Sequence, residues 1–292
     1  MSTAIIINPI SGGASPRAAR ARAQLALAVV DAHGDPVEVL LTERVGHARE
    51  LAKSAVRRGA RLVLAWGGDG TINEVASALA FDDVPLGIVP AGSGNGLARE
   101  LGVALRPERA IADALQAVPK PMDLGEIDGH IFANMAGVGF DAHIASQFAT
   151  ATRRGFIGYA RLTLRAVSRY VPQHYRVTAG GVETSHRAIL VTIANSAQFG
   201  NNARIAPGAR VDDGELDLVV MDERSRFTTL LHMPRLFNGT VHRTPGCTIR
   251  RIREVTIESE QPMTYHVDGE PVTGGTKLRV RIHPGALMVA VR

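Results

Sequence analysis

The sequence predicts a two-domain protein, with an α/β domain built on a parallel sheet followed by a β-rich domain of the sandwich type. Within residues 1–122, apolar runs of strand length alternate with longer amphipathic segments, an order typical of parallel strands covered by helices. Residues 123–283 contain mostly short strand-like segments, which favours antiparallel pairing. The C-terminal tail, about 284–292, is expected to complete the first domain.

Apolar periodicity predicts the elements of each domain in turn. In the first domain we expect strands at 4–7, 37–41, 62–66 and 84–89, and helices at 16–32, 46–58, 70–80 and 107–118. In the second domain we expect strands at 175–179, 188–194, 216–221, 254–259, 264–267, 277–282 and 286–291, and one helix near 227–237.

The most informative stretch is LVLAWGGDGTINEVASALA at 62–80. Its first five residues form a continuous apolar run, as expected for a strand buried on both faces. Gly67 and Gly68 then allow a sharp turn against a ligand, and a helix follows. Because helix N-termini attract phosphate and carboxylates bind magnesium, Asp69 in this turn is a candidate nucleotide-site residue. A plain strand-to-helix connection capped by Asp69 stays an alternative.

The composition limits the function classes. Hydrophobic residues make up 45% and charged residues 21%, which argues against disorder. No apolar run is long enough to span a membrane, and the N-terminus lacks the features of a signal peptide. The single cysteine, Cys247, excludes an internal disulfide and a cysteine-based zinc site. These features predict a cytoplasmic protein.

The charge balance favours an anionic partner. The net charge is +5 and the sequence pI is about 9.9, so a nucleotide or an anionic lipid surface would suit the protein. Aromatic residues are only 4%, and no nucleic-acid-binding motif is recognised, so no nucleic-acid partner is expected.

Two more glycine loops follow predicted strands in the first domain. Residues 8–13, NPISGG, cannot form a P-loop because no G-K-[ST] follows them. Residues 90–101, PAGSGNGLAREL, do not match the dinucleotide fingerprint, since Leu97 stands where its third glycine would be. A Rossmann dehydrogenase is therefore disfavoured.

The motifs NPISGG, GGDGTINEV and GSGNGLA, in this order, resemble those of the diacylglycerol kinase and sphingosine kinase family, which is related to NAD kinases and phosphofructokinases. The resemblance covers nearly the whole chain and implies an NAD kinase/phosphofructokinase-like first domain that binds ATP and Mg²⁺. Gly96 departs from the aspartate usual in bacterial diacylglycerol kinases. The ATP-binding residues implied are Asn8, Pro9, Ser11, Gly12, Gly13, Thr42, Gly67, Gly68, Asp69, Gly70, Thr71, Asn73, Glu74, Gly92, Ser93 and Asn95.

The same resemblance implies catalytic roles for three acidic residues. Glu270, in HVDGEPV, matches the family's proposed general base. Asp69 would organise magnesium, and Asp123 would support the magnesium network. From the residues alone, Asp123 is equally well a turn residue at a strand start. The D-G pair before Glu270 predicts a hairpin turn, which leaves a solvent-facing Glu270 as the alternative.

Two further sites are implied in the second domain. Asp141, in GVGFDAHIA, matches the residue with which sphingoid kinases hold the lipid head group, although a helix N-cap explains it equally well. Arg210, Asp213 and Glu215 match a structural magnesium site of bacterial members. A simple Asp-Asp-Gly turn is the alternative there.

We therefore predict an ATP-dependent lipid kinase that phosphorylates a hydroxyl of a diacylglycerol-like or sphingoid-like lipid, with Glu270 as general base and Asp69 as catalytic residue. An NAD kinase-type enzyme and a non-catalytic nucleotide-binding regulator remain the alternatives, and a homodimer is left open. An arginine-bearing amphipathic helix expected at 152–170 suggests transient contact with an anionic membrane surface, hence a peripheral location; a solvated face is the alternative.

Overall fold

The computed structural model describes residues 2–13, 16–34, 36–149, 166 and 170–292. The chain divides into two compact units. The first combines Met1–Met122 with Gly285–Arg292, and the second is Asp123–Pro284. The helix expected at 152–170 falls almost wholly outside the described residues. No helix in the described ranges is long and apolar enough to cross a bilayer.

The first unit is built on a parallel sheet, as predicted. Its strands follow the order β4-β3-β1-β2, with all pairs parallel. The end of β15 joins beside β4, where Val289 pairs with Leu86. The strands are β1 (Ser2–Ile7), β2 (Val37–Leu41), β3 (Ala60–Gly67), β4 (Leu86–Pro90) and β15 (Lys277–Val289).

Helices cover both faces of this sheet, which explains why its central strands are continuously apolar. One face packs on α1 and α5, where Ile5 and Leu64 share a core with Val30 and Ile111. Successive strand residues point to opposite faces, and α2 and α3 pack against β3. The helices are α1 (Pro16–Asp31), α2 (His47–Arg57), α3 (Asp69–Leu79), α4 (Gly96–Glu100) and α5 (Pro107–Gln116).

The second unit is antiparallel and β-rich. Its strands follow the order β14-β13-β7-β9-β8-β12-β15, and β10 lies beside β9 with β11 at its other edge. Its helices are α6 (Phe140–Ala149), α7 (Arg226–His232) and α8 (Pro234–Phe237). The additional strands are β5 (Lys120–Ile127), β6 (His130–Phe132), β7 (Met135–Gly139), β8 (Gln173–Ala179), β9 (Val182–Ala194), β10 (Leu216–Asp222), β11 (Cys247–Ile252), β12 (Glu254–Glu258), β13 (Thr264–Val267) and β14 (Glu270–Thr273).

Two element predictions are wrong in detail. The strands expected at 277–282 and 286–291 form the single strand β15, which continues through Pro284 and Gly285. The helix expected near 227–237 is two short helices, because Pro234 begins a new one. β11, β14 and α4 were not predicted, and α6 was considered only as the helix that Asp141 would cap.

Candidate functional site

Three loops lie against one another at the carboxyl ends of β1, β3 and β4 in the first unit. The first loop is 8–13, the second is 67–71 and the third is 90–96. A Cβ atom on Gly12 would lie 2.6 Å from the Ala91 carbonyl oxygen, and one on Gly92 would lie 2.7 Å from Gly68 Cα. Only glycine fits these approaches, so the motif glycines bring the three loops together. In α/β sheets, ligands bind at this end of the strands.

The first loop is fixed by polar contacts from two directions. Asn8 Nδ2 donates to Thr71 Oγ1 over 3.0 Å, which joins the first loop to the second. Arg22, on α1, donates to the Asn8 carbonyl, the Ser11 carbonyl and Ser11 Oγ over 2.8–3.0 Å. Its guanidinium also lies 5.9 Å from the centre of the Trp66 ring. Arg22 was not predicted as a site residue, since an arginine on a helix surface has no local feature that distinguishes it.

Asp69 joins the second loop to the third. Its Oδ2 accepts the Asn95 N–H over 3.0 Å, and its Oδ1 accepts the Gly96 N–H over 2.8 Å. The alternative that Asp69 merely caps its own helix is not what the structure shows, because Gly68 is the N-cap of α3 and Asp69 bonds to the start of α4.

Asn95 closes the third loop on itself. Its Oδ1 accepts the Gly92 N–H over 2.8 Å, and its Nδ2 donates to the Gly92 carbonyl over 3.0 Å. The side chain is buried, whereas Ser93 between these two residues is exposed. Ser93 is therefore the accessible side chain of this loop, and Asn95 maintains its shape.

Glu74 and Thr42 lie beside these loops. Both Glu74 oxygens accept backbone N–H groups at the start of α2, from Gly46 over 2.8 Å and from Ala48 over 3.0 Å. Thr42 is buried, and its N–H donates to the Ile7 carbonyl over 3.0 Å. Within the structure both residues hold the scaffold; their predicted contact with ATP stays a prediction. The other implied ATP residues, Pro9, Gly13, Gly70 and Asn73, lie in the first loop or the first turns of α3.

The loop chemistry fits magnesium. Mg²⁺ is usually bound through one or two carboxylates together with substrate phosphates and water. Asp69 is a half-buried carboxylate at the junction of two glycine loops and at the N-terminus of α3, the end of a helix that suits phosphate. The site therefore offers a carboxylate oxygen that can bind Mg²⁺ and N–H groups that can donate hydrogen bonds to phosphate, as a magnesium–nucleotide complex requires.

In the second unit, Asp268 forms a clamp between distant segments. Its carboxylate accepts the N–H groups of Ala133, Asn134 and Met135 over 2.8–2.9 Å. Asp268 and Gly269 have φ values of 48° and 90° and connect β13 to β14 as a two-residue hairpin. The predicted D-G hairpin turn is confirmed, and the clamp fixes where it lies.

Glu270 follows this turn as the first residue of β14. It is exposed, and no hydrogen bond or ion pair joins its carboxylate to another described residue. An exposed carboxylate on a fixed turn is available to a substrate. Its role as general base stays a prediction.

A buried polar group lies beneath the same turn. The Gly269 N–H donates to His266 Nδ1 over 3.3 Å, and His266 Nε2 lies 3.2 Å from Asp141 Oδ2, outside good hydrogen-bond geometry. Thr192 Oγ1 donates to the same Asp141 oxygen over 2.6 Å. Asp141 lies in the first turn of α6 and is only 8% exposed. Its predicted contact with a lipid head group stays a prediction.

Asp123 belongs to the second unit and contacts the loop 210–215. Its side chain is nearly fully buried, and its Oδ2 accepts the Gly214 N–H over 2.7 Å. Its N–H donates to the Val211 carbonyl over 2.7 Å. Asp123 therefore fixes this loop, and its part in a magnesium network stays a prediction.

Arginine side chains pair with the carboxylates of the loop 210–215. Arg251 Nη2 lies 3.4 Å from Asp213 Oδ2, and Arg251 Nη1 lies 3.2 Å from Glu215 Oε2. Arg210 pairs instead with Asp212 over 3.2 Å. The Arg251 guanidinium already bridges Asp213 and Glu215, the carboxylates expected beside a structural magnesium. With this arginine in place, the two carboxylates do not fit Mg²⁺ well. Within the described ranges, no group of three or more histidine, cysteine or acidic side chains is arranged to hold a metal.

Two domain families match the chain. The family described as "Diacylglycerol kinase catalytic domain" matches residues 2–127, and the one described as "YegS C-terminal NAD kinase beta sandwich-like domain" matches residues 134–291. The protein named "Probable lipid kinase YegS-like" from Pseudomonas aeruginosa strain PAO1 is 32% identical over 266 residues, which cover 88% of this chain and 85% of that protein. A protein of the same name from Chromohalobacter salexigens is 31% identical and covers 88% and 84%.

Solved structures share the fold. The crystal structure of a diacylglycerol kinase from Bacillus anthracis strain Sterne matches with a TM-score of 0.76 at 19% identity, covering 100% of this chain and 97% of that one. A second structure from the same strain gives a TM-score of 0.84 at 20% identity, covering 100% and 95%. The predicted fold class is confirmed.

Proposed function

The chain belongs to the family of YegS-like lipid kinases, and we propose that it transfers the γ-phosphoryl group of ATP to a hydroxyl of a membrane lipid. The observation that carries this proposal is the bridge from Asp69 to the Asn95 and Gly96 N–H groups, which joins two glycine loops around one carboxylate. Phosphoryl transfer depends mainly on positioning and on neutralising phosphate charge. A rigid glycine cradle with a carboxylate for magnesium meets both needs.

The proposed roles in the first unit divide between backbone and side chains. Backbone N–H groups of the loops at 8–13, 67–71 and 90–96 that do not already donate within the loops bind the phosphates, and Ser93 adds an exposed hydroxyl donor. Asp69 holds Mg²⁺, which neutralises charge on the phosphates. Asn8 and Arg22 keep the first loop in place against Thr71 and Trp66.

Glu270 supplies the general base in this proposal. The lipid hydroxyl oxygen forms a bond to the γ-phosphorus, the bond from that phosphorus to the bridging oxygen breaks, and ADP leaves. The hydroxyl proton passes to the Glu270 carboxylate. The Asp268 clamp supports this role, because three backbone N–H groups hold the turn immediately before Glu270.

The acceptor is a lipid alcohol of the diacylglycerol or sphingoid type. Such a substrate lies in a bilayer, so the enzyme works in transient contact with a membrane surface. The net charge of +5 suits an anionic surface.

The test is phosphate transfer from γ-labelled ATP into a panel of diacylglycerol, phosphatidylglycerol, ceramide, sphingoid base and NAD. We expect label in a lipid and none in NAD. Glu270→Gln should lower kcat by roughly 10² to 10⁴ with ATP affinity unchanged, since glutamine keeps the shape but is not a base. Glu260→Gln, on an exposed glutamate of the same unit, is the control. Label only in NAD would overturn the lipid assignment, and full activity of Glu270→Gln would remove the general base.

A further inference from the structure

The residues 224–253 have an unusual charge composition. This stretch, the arginine-rich segment, contains no aspartate, glutamate or lysine, although the whole chain has 28 acidic and 33 basic residues. Its arginines are Arg224, Arg226, Arg235, Arg243, Arg250, Arg251 and Arg253. Arg251 is engaged by Asp213 and Glu215. The segment is therefore a local concentration of positive charge within a chain of mixed charge.

The same segment exposes large apolar side chains. Leu230 is 43% exposed, Leu231 61% and Phe237 53%, and all three lie on the successive helices α7 and α8. Single apolar residues on a surface are ordinary, but here three large ones are exposed within eight positions of the chain, a group termed the apolar patch. Arg224 and Arg243 are exposed on either side of this patch in the chain.

The helix pair is anchored by its other residues. Leu236 packs against a core cluster that includes Val219 and Val241, and its carbonyl accepts the Arg204 N–H over 2.7 Å. This contact holds α8 to the core through Leu236, while Phe237 on the same helix stays exposed. β11, which ends the segment, pairs only with β10 among the described strands.

We propose that the arginine-rich segment is the surface with which this protein docks on a bilayer containing anionic lipid. Leu230, Leu231 and Phe237 enter the boundary between head groups and acyl chains, and the exposed arginines bind lipid phosphates. An amphipathic surface with basic residues beside leucine and phenylalanine has the composition of an interfacial membrane contact. The inference rests on the proposed function, since it places a kinase at the surface that holds its acceptor.

Charge complementarity favours a bilayer over a second copy of the chain. A two-fold dimer interface places the same patch against itself, so arginines would face arginines without an acidic residue of the segment between them. An anionic bilayer offers the opposite charge to the arginines and an apolar layer to the exposed leucines and phenylalanine.

The first experiment is cosedimentation with vesicles of phosphatidylcholine, with and without 30% phosphatidylglycerol. The triple variant Leu230→Gln/Leu231→Gln/Phe237→Gln and the double variant Arg224→Gln/Arg243→Gln should each bind anionic vesicles about tenfold more weakly or worse. Raising the salt concentration should weaken wild-type binding. Matched controls are Val118→Gln/Val182→Gln for exposed apolar residues and Arg49→Gln/Arg279→Gln for exposed arginines.

The second readout separates docking from catalysis. Turnover of a water-soluble short-chain lipid should be unchanged in both test variants, while turnover of vesicle-bound lipid should fall with binding. Unchanged vesicle binding would overturn the proposal, and so would a wild-type dimer that the triple variant converts to monomer. A wild-type protein that binds anionic vesicles yet phosphorylates no lipid would overturn the proposed function and leave the docking surface standing.

Discussion

Asp141 and His266 meet inside the second unit, with Asp141 Oδ2 3.2 Å from His266 Nε2 and the two side chains only 8% and 4% exposed. His266 Nδ1 accepts the Gly269 N–H, so the proton of a neutral ring lies on Nε2, on the side of Asp141. Gly269 directly precedes Glu270. Thr192, Asp141 and His266 therefore form a buried polar support beneath the proposed base.

This support predicts that His266 acts as a positioning residue. His266→Leu fills a similar volume but removes both polar contacts, and we expect kcat to fall by about tenfold with little change in the KM for ATP. In the Glu270→Gln background the same substitution should have almost no further effect on kcat, because residues that act through one another are not additive.

The control for this cycle is His174→Leu, which changes an exposed histidine of β8. If the fold-losses in kcat of the two single variants multiply in the double variant, His266 supports the fold in general and does not position Glu270. Circular dichroism and thermal melting of all variants would then show a matching loss of stability.

Asp69 and Glu74 give a matched pair for testing magnesium. Each carboxylate accepts two backbone N–H groups in the first unit. Asp69→Ala and Glu74→Ala should therefore destabilise the protein to a similar extent, about 1 to 3 kcal/mol each. Only Asp69→Ala should lower kcat a hundredfold or more at saturating Mg²⁺ and ATP, since it also removes the proposed metal ligand. Loss of a contact between Glu74 and ATP would instead raise the KM for ATP. Equal activity of the two folded variants would remove the metal role of Asp69.

Local patterns predicted many elements of both units. β2 and β13 have the predicted bounds, because a short apolar or alternating run between turn residues is a local property. β11 was missed because its sequence, CTIRRI, contains two adjacent arginines, which hide the strand pattern. β15 was divided in two because Pro284 and Gly285 usually interrupt strands, and only its pairing with neighbours carries it through.

The clamp at Asp268 shows why part of the candidate site was beyond prediction. A D-G pair predicts a turn locally, but the three amides that Asp268 binds lie more than 130 positions away in the sequence. Asp69 and Asn95 are 26 positions apart, and the pairing of His266 with Asp141 joins two segments that are also distant in the sequence. Such pairings come from tertiary packing, so the residue types were predictable and their partners were not.

Asp268→Ala should therefore cost far more stability than an identical change at a similar turn. It leaves the Ala133, Asn134 and Met135 amides without their acceptor, and we expect a loss of about 2 to 5 kcal/mol in denaturant unfolding. Asp128→Ala is the control. Asp128 also stands before a glycine with positive φ, and its own φ is 45° against 48° for Asp268. Its carboxylate accepts just one N–H group from the residues that the structure describes, that of Arg279. A loss at Asp128 as large as that at Asp268 would contradict the clamp.

Asp217 predicts a pH dependence of stability. Burial raises the pKa of this carboxyl from 3.8 to about 6, assisted by the nearby Asp213 and Glu215 and opposed by Arg251. The folded state therefore binds the proton more tightly than the unfolded state, and Asp217 lowers stability as the pH rises from about 4 to about 6.

Asp217→Asn should remove the loss of stability that Asp217 causes as the pH rises. We expect the variant to be more stable than wild type at pH 7.5, by on the order of 2 kcal/mol, and close to wild type at pH 4. Thermal melting across this range measures the difference, with Asp212→Asn as an exposed control. A variant that is less stable at pH 7.5 would show that attraction to Arg251 outweighs burial.

Because β15 ends in the first unit, this unit can be completed only at the end of synthesis. The final residues of β15 pair with Leu86 in the first unit, where the Ala290 N–H also donates to the Leu86 carbonyl over 2.8 Å. On the ribosome, β4 emerges long before this partner, and the entire second unit is translated in between. Until then the nascent sheet has an unpaired edge at β4. Such an edge can pair with a strand of another chain and so cause aggregation, which chaperones prevent. A fragment ending at residue 122 would keep that edge permanently, so the first unit is best produced as part of the full chain.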